Sequence, residues 1–151
     1  MSTAPVVVDA SVAVKWVLDE SDAERAEALL TDCLRAARVI ATPPHLHSEA
    51  GNAIYQRTRI SEVTLRLSPA DAIEALSELL EVPIELIAPH GLYERALAFA
   101  QLHGLPSIYD ALYVVLAQLL GAELWTADQR LLTAVGGAAP WVRAIRDYPA
   151  S

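Results

Sequence analysis

The chain is poor in cysteine and in positive charge. Cys33 is the only cysteine, so no internal disulfide forms, which fits a reducing, cytoplasmic setting. Eleven cationic side chains face nineteen acidic ones, and every cation but Lys15 is arginine. A net charge of −8 excludes a protein that coats nucleic acid by bulk attraction. Long apolar runs are missing too. The longest region, 111–125, is broken by Gln118, Gly121 and Glu123 and is too short to span a bilayer, so no membrane role is expected. No basic segment precedes the first apolar stretch, so the start does not read as a signal peptide. Internal repeats, low-complexity tracts and linkers are likewise missing.

What remains is a chain that should fold. Hydrophobic residues make up 54% of 151, enough for a real core, and the chain reads as one domain over 1–151 with an ordered core from about 5 to 148. Short strand-like runs alternate with helical ones, the pattern of a parallel α/β sheet. Strands are expected at 6–8, 39–41, 84–87 and 124–126, with a last edge strand at 141–145. A capping box at Ser21–Glu24 should start a helix reaching about Ala37. Pro43 and Pro44 introduce a helix carrying His45 to about Arg59. Ser68-Pro69 starts another helix, 91–103 makes a helix closed by Gly104, and Ser107 begins a long apolar helix that Gly121 ends. Asp128 opens a short one.

Four acids stand beside apolar surroundings instead of on polar helix faces. Asp9 ends the run V-V-V-D. Glu49 lies in H-S-E-A-G-N, Asp110 in S-I-Y-D-A-L-Y, and Asp128 in L-W-T-A-D. In a parallel sheet all four positions fall near the carboxyl edge and can meet in one cleft. At 4–6 Å and an effective dielectric near 20, each pair of carboxylates repels by about 3–4 kcal/mol. Divalent cations such as Mg²⁺ or Mn²⁺ relieve that repulsion and prefer carboxylate and water ligands. Each acid also has a plainer reading: Asp9 and Asp128 as helix caps, Asp110 as the partner of Ser107 in a capping box, Glu49 as a solvated helical residue.

The segments V-V-V-D-A-S at the amino terminus, P-x-L-x-x-E-x-x-N at 44–52, Y-D-A-L-Y-x-x-L-A at 109–117 and L-x-T-A-D at 124–128 resemble the PIN-domain ribonucleases. Within that family they are most similar to the VapC-type toxins of bacterial toxin–antitoxin modules. The resemblance implies a three-layer α/β/α sandwich with a mainly parallel sheet, and Mg²⁺- or Mn²⁺-dependent endonucleolytic cleavage of RNA. It assigns the catalytic, metal-binding quartet to Asp9, Glu49, Asp110 and Asp128, with polar supporting positions at Ser11, Asn52 and Thr126. Asp9 and Asp110 are expected to hold the principal ion, with Glu49 and Asp128 completing the cluster. It also implies a cognate antitoxin protein, seated on the apolar positions between Ala53 and Leu80, and a homodimer. Leu112, Val115, Leu116, Leu119, Leu120, Trp125, Leu131 and Leu132 supply more apolar surface than one helix face needs, which points the same way.

Lys15, Arg57, Arg59 and Arg130 lie near the acidic motifs in sequence and are the candidate RNA phosphate contacts. Trp16, Tyr55, Tyr109 and Tyr113 are candidate base-stacking groups. A zinc site at His45 and Glu49 lacks the four protein ligands such a site needs. An aspartate-nucleophile phosphatase would need a second aspartate where Ser11 stands. A housekeeping PIN nuclease without an antitoxin, and a PIN-like module that binds RNA or protein without cutting, are the readings left beside the toxin.

Overall fold

A computed structural model describes residues 4–150. Its frame is one five-stranded sheet, β1 (Val6–Val8), β2 (Ile40–Thr42), β3 (Ile84–Leu86), β4 (Glu123–Thr126) and β5 (Val142–Ala144), in the order β3-β2-β1-β4-β5. Every neighbouring pair is parallel. In register, Val7 lies between Ala41 of β2 and Leu124 of β4, and Thr126 pairs with Ala144.

The central strand is buried on both faces, which explains why its sequence does not alternate. Val6 and Val8 point into one core with Val12, Ala26, Leu29, Cys33, Ile40, Trp125 and Ile145. Val7 points the other way, into a larger core holding Leu46, Ile54, Leu79, Leu92 and most of residues 111–117. Helices α1 (Ala10–Ala13), α2 (Ala23–Arg35), α3 (Leu46–Arg57), α4 (Pro69–Glu81), α5 (Leu92–His103), α6 (Ile108–Leu120) and α7 (Gln129–Val135) complete the three layers of the expected α/β/α sandwich.

Several local expectations shift. The second strand starts one residue later than expected, at Ile40, and the third helix spans Leu46–Arg57 instead of reaching Arg59. Ser68 caps α4 through Asp71 N–H at 3.1 Å, as its sequence indicates. The Ser21 capping box does not form. Asp22 is the residue before α2, in the left-handed region at φ 62 and without a side-chain cap. Lys15 explains this, because its Nζ donates to the Ser21 carbonyl at 2.8 Å and fixes the turn one residue further on.

The apolar excess on α6 is resolved inside one chain. Residues Ala111 to Ala117 are all buried, Leu119, Leu120 and Leu132 are half-buried, and Trp141 Nε1 closes over the helix by donating to the Val114 carbonyl at 2.9 Å. This helix therefore gives no reason for a second subunit. Exposed apolar side chains lie elsewhere, at Val63, Leu65, Ile73 and Leu80 around α4, and at Tyr93, Leu97 and Leu102 on α5. Among the described residues no helix is long and apolar enough to cross a membrane.

Candidate active site

The strand order reverses beside β1: β2 and β3 lie on one side, β4 and β5 on the other. Parallel sheets open a crevice at the carboxyl ends of the strands at such a point. Asp9 follows β1 directly, and Thr126 and Asp128 follow from β4. The short strand and the immediate turn into α1 leave Asp9 only 5% exposed.

A buried carboxylate needs donors, and Asp9 has three. Ser11 Oγ donates to Oδ1 at 2.5 Å, Val12 N–H donates to the same oxygen at 3.3 Å, and Thr126 Oγ1 donates to Oδ2. The capping reading of Asp9 is thus correct as far as it goes, since the Val12 contact caps α1. The two hydroxyls are themselves held. Ser11 Oγ accepts from Ala127 N–H at 2.9 Å, and Thr126 Oγ1 accepts from Asp128 N–H at 3.0 Å. Asp128 caps α7 in turn, taking N–H bonds from Arg130 at 2.9 Å and Leu131 at 3.3 Å on Oδ1. One polar chain therefore ties the ends of β1 and β4 together.

Glu49 and Asp110 come from the first turns of α3 and α6. Tyr113, one turn after Asp110, reaches across and donates its hydroxyl to Glu49 Oε1 at 3.1 Å. No motif announces that bond; the only sequence signal is that Tyr109 and Tyr113, four apart, share a helix face. His45 packs its ring against both tyrosines, at 5.2 Å from Tyr109 and 4.8 Å from Tyr113. Its Nε2 lies 4.0 Å from Glu49 Oε2, but burial holds the imidazole below its ordinary range. The contact is a neutral ring beside a carboxyl group, not an ion pair.

Electrostatics link all four acids. Burial pushes Asp9 up to about 6 against the pull of its hydrogen bonds, and the Asp128 charge adds to the rise. Burial pushes Glu49 to about 7; Tyr113 pulls it down, while Asp9, Asp110 and Asp128 each push it further up. Asp110 is also raised, by burial and by Asp128, with Arg130 opposing. Tyr113 is held far above its usual range by burial and by Glu49, so it remains a donor.

These groups form a half-buried cluster of like charge. Among the described residues no three His, Cys, Asp or Glu side chains form a group that could hold a metal ion. The donor set nevertheless suits Mg²⁺ or Mn²⁺, which take one or two carboxylates and complete their shell with water and substrate oxygens. It is all oxygen and carries charge that a cation would neutralise.

The remaining candidates separate. Asn52 is exposed on α3 and makes no hydrogen bond to the acids. Lys15 is corrected: it is 7% exposed, with Nζ bonded to the Ser21 carbonyl and 3.4 Å from Glu20 Oε1, so it serves the fold and not a phosphate. Arg57 is half-buried, and its Nη1 pairs with Glu20 Oε2 at 3.0 Å. Arg59 lies over the Tyr55 ring at 5.6 Å. Arg130 acts directly on Asp110 and stays exposed. Trp16 is turned inward, its Nε1 donating to the Ala26 carbonyl at 2.9 Å.

Comparison with known proteins places this geometry. The PIN domain family matches residues 6–137. The chain is 33% identical over 129 residues to Ribonuclease VapC3 of Mycobacterium tuberculosis, covering 85% of this chain and 86% of that one. To VapC ribonuclease Mb0985 of Mycobacterium bovis it is 31% identical over 126 residues, covering 83% and 87%. The crystal structure of PAE2754 from Pyrobaculum aerophilum superposes with a TM-score of 0.64 over 95% of this chain and 92% of that one, at 24% identity, which is a likeness of fold.

Proposed function

We propose that this chain, which belongs to the PIN-domain family, is a divalent-metal-dependent endoribonuclease and the toxin of a type II toxin–antitoxin pair. The observation that carries the proposal is the placement of Asp9, Glu49, Asp110 and Asp128 at the carboxyl edge of the sheet, where burial above all raises the first three. A fold has little structural use for acids buried together at one edge of a sheet, whereas phosphodiester hydrolysis has a direct one. The similarity to VapC ribonucleases supports RNA as the substrate, and the antitoxin partner follows from the resemblance of the motifs to the VapC-type toxins.

Asp9 and Asp110 would hold the principal Mg²⁺ or Mn²⁺, with Glu49 and Asp128 completing the shell, and a bound ion there supplies an activated water and charge neutralisation at the phosphate. The chain's own residues do the rest. Ser11, Thr126 and Val12 N–H lock the Asp9 carboxylate in one orientation, which removes reorganisation from the reaction. The backbone N–H groups of Arg130 and Leu131 do the same for Asp128. Tyr113 occupies Glu49 Oε1 by donating its hydroxyl to it, which fixes the carboxyl and leaves Oε2 as the oxygen that would face a bound ion. Water adds to phosphorus, the bond to the 3′ oxygen breaks, and that oxygen leaves as a hydroxyl opposite a 5′-phosphate.

The exposed side chains Val63, Leu65, Ile73 and Leu80 are the surface we assign to the antitoxin, which would cover them with an apolar segment. A homodimer belongs to the same reading, with Tyr93 and Leu97, one turn apart on α5, as the exposed pair a second copy covers. The enzyme is taken to work in the cytoplasm. Incubating defined RNAs with the protein and Mg²⁺, with EDTA, and with the Asp9→Asn variant tests the activity. Cleavage in the first case alone is expected; cleavage in excess EDTA removes the mechanism.

A further inference from the structure

Tyr109 is a large aromatic side chain left 53% exposed on the first turn of α6, immediately before Asp110. Its ring packs against His45, the ring of His45 packs against Tyr113, and the Tyr113 hydroxyl donates to Glu49. Three rings thus form a chain of tilted contacts with one end on an acidic-site carboxyl and the other facing solvent. The Tyr109 hydroxyl makes no hydrogen bond within the described residues. The other candidate rings differ. Tyr55 has the Arg59 guanidinium over its ring, while Trp16 is hydrogen-bonded inward.

Resting on the nuclease reading above, we propose that Tyr109 is a stacking platform for an unpaired base of the RNA next to the phosphate that is cut. The chain's electrostatics require something of the kind. Net charge is −8, and two of the four cations near the acidic motifs, Lys15 and Arg57, are spent on Glu20. Phosphate attraction is therefore weak around the site, and base–aromatic stacking is the attraction that acidic surroundings do not cancel. Tyr113 is one helical turn, about 6 Å, along α6 from Tyr109, which puts the exposed ring within nucleotide reach of Glu49. A base can lie on that ring only if it is not held in a duplex. An RNA paired at the cleavage site therefore denies Tyr109 its partner.

The test measures KM and kcat with Mg²⁺ on a single-stranded RNA, on the same RNA carrying abasic riboses around the cleavage site, and on a fully paired stem. Wild-type protein should prefer the first. Tyr109→Ala should raise KM about ten-fold on the intact RNA and leave KM on the abasic RNA unchanged. Tyr109→Trp should match wild type, and Tyr109→Leu, which packs on His45 but stacks poorly, should behave like Tyr109→Ala. The Trp and Leu variants decide the matter even if the Ala variant melts early. Equal KM for wild type, Trp and Leu, or a preference for the paired stem, overturns the stacking role while leaving the nuclease intact. No cleavage of any RNA by wild type overturns both.

Discussion

The two edges of the sheet are built from similar materials and handled in opposite ways. At the amino edge, Asp32 accepts the Tyr148 hydroxyl at 2.6 Å, Arg38 Nε donates to the Ala4 carbonyl at 2.7 Å, and Glu123 pairs with Arg143 at 2.9 Å. A cavity of about 670 Å³ opens there, lined by Cys33, Arg38, Trp125 and Tyr148 among others. The carboxyl edge holds Asp9, Glu49, Asp110 and Asp128; burial above all pushes the first three upward, neighbouring acids add to the rise, and Arg130 opposes it at Asp110. The lesson is that cavity size does not mark the working edge. Acids buried at strand ends are what we read as marking it, because a folded chain of modest stability sheds such a cost unless something uses it.

Changes at the acidic edge should dominate activity. Asp9→Asn and Asp110→Asn should each lower RNA cleavage on the order of 10³-fold, since each removes a ligand that several kcal/mol of charge stabilisation depends on. Their melting temperatures at pH 8 without divalent ions should equal or exceed that of wild type. Cleavage assays and thermal melts on the same preparations check both statements.

The pH dependence of stability comes next. Asp9 titrates near 6 in the folded chain against 3.8 for a free aspartate, so its charged form is the costly one. The stability tied to it is fully present below about pH 4 and is lost as pH rises through 6; Glu49 continues the loss through about 7. For Asp9 the amount is about 3 kcal/mol. Melts in EDTA should therefore fall between pH 5 and pH 8, Mn²⁺ should restore the loss, and Asp9→Asn should flatten the curve. A flat curve for wild type would break the comparison between the edges.

Thr126→Val should cost about 2 kcal/mol, because it removes a donor from Asp9 and leaves Asp128 N–H without its acceptor. Denaturant unfolding measures that, and cleavage should fall with it. The smallest effect is expected at the amino edge. Ala37 sits in the left-handed region at φ 52, directly after the α2 end that Arg38 N–H closes onto the Cys33 carbonyl at 2.8 Å. Ala37→Gly should raise stability by about 0.5–1 kcal/mol and leave cleavage unchanged.

Much of this was legible in residues. An unalternating Val6–Val8 means a strand covered on both faces, and strand-end acids mean a shared cleft, because both follow from where parallel sheets put their faces and ends. What escaped the sequence depends on contacts between distant segments. Lys15 reads as a free cation until Glu20 and Ser21 fold back onto it, and the same contact moves the start of α2 past Ser21. The apolar run of α6 reads as surplus until Trp141, from the far end of the chain, closes over it. Tyr113 and Glu49 are 64 positions apart, and no local rule joins them. The plain reading of Asp9 and Asp128 as caps holds and leaves the functional one open, since capping uses N–H contacts on one oxygen.

Titration of the protein with Mn²⁺, followed by the electron spin resonance of the free ion, tests the central claim most directly. Wild-type protein should take up Mn²⁺ saturably, Asp9→Asn and Asp110→Asn should each lose that uptake, and Asp32→Asn at the amino edge should keep it. Unchanged uptake in Asp9→Asn, or its loss in Asp32→Asn, would contradict the account.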